Sequence, residues 1–167
     1  MNLLSSTTVF SFFTLISRVL GYLRDILIAI FLGASILADV FFVAFRLPNT
    51  FRRLFAEGTF NAAVIPSYTK ENIKSVKDGK KFADEVLSLI IISILFLVLL
   101  VEIFTPIVIF LIAPGFFENS VKYNLAIDLS RITFPFLLFV TISSFFSGIL
   151  NSNNKFAAAA AAPIVLN

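Results

Sequence analysis

Of the 167 residues in this chain, 59% are hydrophobic and 14% charged, and the mean hydropathy is +0.99. Soluble domains run at roughly 45–50% apolar and about 25% charged residues, so lipid is the solvent this composition suits. There is no cysteine and no histidine, which excludes disulfides and thiol nucleophiles, removes the commonest zinc ligands and the usual general base, and argues against an enzyme or a metal site. The net charge of +3 is modest, and its placement matters more than its size.

A membrane span takes about 20 mostly apolar residues, and the pattern predicts an all-α, polytopic transmembrane helix bundle with about four full spans plus the start of a fifth. The first expected span covers residues 7–32. No Lys or Arg precedes its apolar run, and Arg18, Arg24 and Asp25 interrupt it, so it is expected to be a retained helix and not a cleavable signal. Gly33 stops it. The second covers 35–68 and is kinked at Pro48, whose missing N–H is tolerated in a bilayer where the break faces protein or a hydrated cavity.

Residues 69–85 hold Lys70, Lys74, Lys77, Lys80 and Lys81 and are expected to form a loop. A third span is expected over 86–112, with Glu102 as its charge, ending at Ala113-Pro114-Gly115-Phe116, and a fourth over 125–150. From residue 156 the chain turns apolar again through the alanines at 157–162; about twelve residues are too few to cross a bilayer. The expectation is part of the N-lobe of a longer protein. By the positive-inside rule the lysine loop and the N-terminus are cytoplasmic, and the turns at 33–35 and 116–122 are outside.

On a helical wheel Ser11, Thr14, Ser17, Arg18, Gly21, Arg24 and Asp25 share one arc of the first span. In the second span Ser35, Asp39, Arg46, Thr50, Arg53, Glu57 and Asn61 lie near one line, with Asn49 flanking and Arg52 off the face. Four of these charges, Arg18, Arg24, Asp25 and Asp39, would together cost about 10–14 kcal/mol facing lipid. Mutual pairing inside a bundle is one resolution and snorkelling of Arg52, Arg53 and Glu57 another. A hydrated anion-binding cavity is the third, and the residue count favours it: five arginines stand against three carboxylates from Arg18 to Glu57, and the guanidinium fork suits phosphate. Glu102 is expected to pair with Arg131 or to sit at an interface.

The stretch SRVLGYLRD at 17–25, the long run ADVFFVAFRLPNTFRRLFAEGTF at 38–60, APGF at 113–116, RITFPF at 131–136 and ILNSNNKF at 149–156 together resemble the MurJ (MviN) lipid II flippases of bacteria, within the MATE-like flippase superfamily. The resemblance implies part of one lobe of a two-lobe transporter of the bacterial inner membrane, moving a polyprenyl-diphosphate peptidoglycan precursor outward by alternating access. It implies that Arg18, Arg24, Arg52 and Arg53 hold the diphosphate and that Asp25, Asp39 and Glu57 exchange arginine partners. Ser17, Gly21, Arg46, Pro48 and Asn49 would support them. Lipid II and membrane lipids are the implied partners, with the missing C-terminal lobe required and no nucleic acid or cofactor. Another exporter of the superfamily, for drugs or polysaccharide lipids, and a transport-inactive truncated membrane protein are the alternatives.

Overall fold

A run of Leu, Ile, Val and Phe can satisfy its backbone polar groups without water only by helix or closed barrel, and in this chain the outcome is helix. The computed structural model describes residues 3–56, 59–153 and 155–159, and for 3–7, 9–10, 52–56 and 59–61 the backbone course alone. All regular structure among the described residues is helical.

Helix α1 spans Leu3–Leu32 and, at 30 residues, is long enough to cross a bilayer. It ends at Gly33, whose φ of 55° is the left-handed cap position, with its N–H donating to the Ala29 carbonyl at 3.0 Å. Ser35 then caps helix α2, Ile36–Ala56, by accepting from the Ala38 N–H at 3.2 Å.

Helix α2 passes through Pro48 unbroken. Proline withdraws the donor that the Ala44 carbonyl, one turn earlier, would have received. That carbonyl accepts instead from the Thr133 hydroxyl at 3.3 Å, and the break therefore faces protein. The same solution recurs at Pro106, where Thr105 donates to the Glu102 carbonyl at 3.1 Å.

Helix α3 runs Thr59–Lys74 and α4 runs Val76–Ile112, 37 residues. The lysine-rich segment is thus a tight helical hairpin and not the expected loop. Ser75, the junction, accepts from the Lys77 N–H at 3.1 Å and caps α4. Gly79 lies so close to α3 that a Cβ there would meet Asn72 at 2.6–2.8 Å. Pairs Lys74–Glu71 at 2.7 Å and Lys81–Glu85 at 3.8 Å line the solvated sides, which is why so polar a stretch stays helical.

After a 3-10 turn at Pro114–Glu118, Asn119 caps helix α5, Ser120–Thr133, accepting from the N–H groups of Val121 and Lys122, both at 3.1 Å. Helix α6 follows at Phe136–Ser152. The span expected over 125–150 falls within the continuous apolar run Ser120–Ser152, interrupted only at Phe134-Pro135, where proline lacks the N–H for the backbone ladder while both residues keep helical dihedrals.

Two apolar cores hold the bundle. Ile90, Ile94 and Val98 of α4 pack with Phe134, Leu137 and Phe145, and Val40 of α2 packs with Ile109, Ala126 and Ile127. Helices α2 to α6 share these interfaces. Val76–Ile112 and the run Ser120–Ser152 are long and apolar enough to cross a membrane. Their outward side chains, among them Leu89, Ile92, Phe96, Leu99 and Ile103, are exposed, as lipid-facing residues must be.

Candidate functional site

On α1 the Ser17 side chain is buried, whereas Arg18, Arg24 and Asp25 are exposed along the helix and Gly21 is half-buried between them. Adjacent residues on a helix do not normally face each other, yet Arg24 folds back on Asp25, with Nε at 3.1 Å and Nη2 at 2.9 Å from the same Oδ1. The two side chains are 47% and 66% exposed. This partner comes from the helix itself. Arg24 also borders an open groove of about 450 Å³ along α1, lined otherwise by Leu20, Leu23, Leu27, Ile28, Phe31 and Leu32. An apolar trough with one cation at its side suits an amphiphile with an anionic group.

On α2 the buried positions Val40, Ala44 and Pro48 turn toward α5, and Asp39, Arg46, Asn49 and Thr50 are exposed on another side. The Thr50 hydroxyl donates back to the Arg46 carbonyl at 2.8 Å, reinforcing the turn around the proline. Arg52 and Arg53 lie in the last turns of α2, with side chains outside the described residues. Glu57 lies wholly outside them.

The structure assigns Asp39 a partner other than an arginine. Lys122, in the first turn of α5, places its ammonium 2.5 Å from Asp39 Oδ2 and 4.3 Å from the centroid of the Phe116 ring. Sequence reasoning placed Lys122 in the outside turn at 116–122 and gave it no partner. The available signal was electrostatic: a cation at a helix N-terminus opposes the helix dipole and needs a carboxylate nearby. Thr133, which completes the backbone at Pro48, had no sequence signal.

Glu102 does not form the expected ion pair with Arg131 among the described residues, and its Oε1 is buried without a hydrogen-bond partner. Arg131 is exposed, turned away from the seam that buries Ser130 and Thr133. No group of carboxylates that would suit a metal ion occurs among the described residues.

The family profile described as lipid II flippase MurJ matches residues 28–167. A probable lipid II flippase MurJ of Rickettsia prowazekii is 40% identical over the whole chain, and the one of Buchnera aphidicola from Acyrthosiphon pisum is 43% identical over the whole chain. The lipid II flippase MurJ of Burkholderia cenocepacia is 37% identical, again over the whole chain. In each case the match covers 33% of the relative, so the chain spans about a third of the length of these curated relatives. A match of this breadth, running from the end of α1 through both apolar cores to residue 167, places the chain in the lipid II flippase MurJ family.

Proposed function

We propose that the chain works as part of a lipid II flippase in the bacterial cytoplasmic membrane, with its N-terminus cytoplasmic and the precursor's diphosphate held on the arginine-bearing faces of α1 and α2. The observation that carries this reading is the exposure of Arg18 and Arg24 along a 30-residue helix long enough to cross a bilayer. Guanidinium groups at membrane depth require an anionic or hydrated counterpart. A diphosphate offers several acceptor oxygens for their bidentate donors.

Arg52 and Arg53 extend the same charge at the far end of α2, and Arg46 with Asn49 lies between. Asp25 keeps Arg24 oriented, Glu57 is a further carboxylate for arginines to exchange with, and Asp39 joins the site from the α2–α5 seam. Ser17 and Gly21 keep the α1 face small enough for close approach. Cargo and arginines exchange partners as access alternates between the two leaflets. No covalent bond changes, so the residues act by binding and not by catalysis. The opposing wall of the cavity belongs to a second lobe.

The test is a chimera in which this chain replaces the matching third of the Rickettsia relative. Arg18→Ala and Arg24→Ala should each abolish lipid II appearance in the outer leaflet while membrane insertion is unchanged. Normal flipping in both variants would falsify the reading.

A further inference from the structure

The Asp39–Lys122 pair joins residues 83 positions apart, whereas the other ion pairs among the described residues link neighbours in one helix or adjacent positions. It is also asymmetric: the lysine side chain is 20% exposed and the aspartate 60%. The cation is therefore the seated partner. Asn119 Oδ1 holds its backbone N–H, the Phe116 ring lies beneath its ammonium, and Val40, next to Asp39, is fully buried against Ile109, Ala126 and Ile127. Each charge supplies what the other lacks, since Asp39 complements the N-terminus of its own helix and offsets a lysine that opposes the dipole of α5.

We propose that Lys122 is a positioning residue: it holds the Asp39 carboxylate and ties the first turn of α2 to α5, so that the helix bearing Arg46, Arg52 and Arg53 moves with the α4–α5 hairpin during transport. The proposal rests on the flippase reading. The tie lies at the end of the bundle opposite the lysine-rich α3–α4 hairpin, and the Thr133–Ala44 hydrogen bond makes a second, deeper attachment between the same two helices. Because α2 is one continuous helix from Ile36 to Ala56, fixing it at two levels on α5 sets the direction of its arginine face. Lys122 touches no cargo in this scheme and acts through Asp39.

The test uses the same chimera and two readouts, the thermal unfolding midpoint in detergent and lipid II appearance in the outer leaflet. Asp39→Lys and Lys122→Asp each place like charges together. Each should lower the midpoint and slow flipping by about three- to thirtyfold, the range of a coupled pair. The double exchange, Asp39→Lys with Lys122→Asp, should restore both readouts, and Lys122→Arg should keep both. The proposal is overturned if the single variants match the parent. It is equally overturned if the exchange restores the midpoint without restoring flipping, because the pair then only holds the fold, or if it restores neither. A parent chimera that moves no lipid II overturns the flippase reading and the transport half of this proposal together, whereas failure of the exchange against an active parent overturns the role of Lys122 alone.

Discussion

Thr133 shows how much a single side chain contributes when the backbone has a gap. Its hydroxyl occupies the acceptor that Pro48 leaves open at Ala44, inside a seam where both residues are buried. Thr133→Val keeps the shape and removes the donor, leaving a buried carbonyl unsatisfied at a cost of about 1–3 kcal/mol. A lowered unfolding midpoint in detergent, absent from Thr133→Ser, is the expected result. By contrast, the Arg24–Asp25 contact is half-exposed or more on both sides. Asp25→Asn should therefore change stability by less than about 1 kcal/mol, and its effect should appear in cargo affinity, measured by competition with a soluble diphosphate.

At the scale of elements, the α3–α4 hairpin is where polarity misled the reading and spacing would have served better. Ser75 with Asp78 three positions later is a helix-start pattern, and Gly79 permits the close approach that a hairpin with a one-residue junction demands. Gly79→Val would drive its side chain into Asn72, backbone included, and should destabilise the bundle by about 1–3 kcal/mol, as overpacking does. Ser75→Ala removes only the cap and should cost about 1 kcal/mol. The unfolding midpoint should rank these as parent, Ser75→Ala, Gly79→Val in falling order. The interruption between α5 and α6 has a plain sequence cause in Pro135.

For the whole molecule, the proposed orientation rests on the charge distribution. Lys70, Lys74, Lys77, Lys80 and Lys81 crowd the α3–α4 hairpin, while the Asp39–Lys122 pair marks the other end of α4. The chain has no cysteine, so single cysteines introduced at Lys77 and Ser120 report on their own. Ser120→Cys should react with a membrane-impermeant thiol reagent added outside intact cells, and Lys77→Cys only after the membrane is opened; the reverse pattern would invert the topology. Composition, apolar run length and helix-stop residues were enough to determine an all-helical membrane protein, because in lipid those features leave the backbone few other choices. Helical periodicity alone also put Arg18 and Arg24 within one arc of the first span, and both are exposed along α1. Partners were not legible. That Asp39 meets Lys122 and that Thr133 closes the gap at Pro48 depend on how α2 and α5 sit against one another. Helix-to-helix contacts of that kind are decided by the packing of Val40, Ile109, Ala126 and Ile127, a three-dimensional fit that no local pattern encodes.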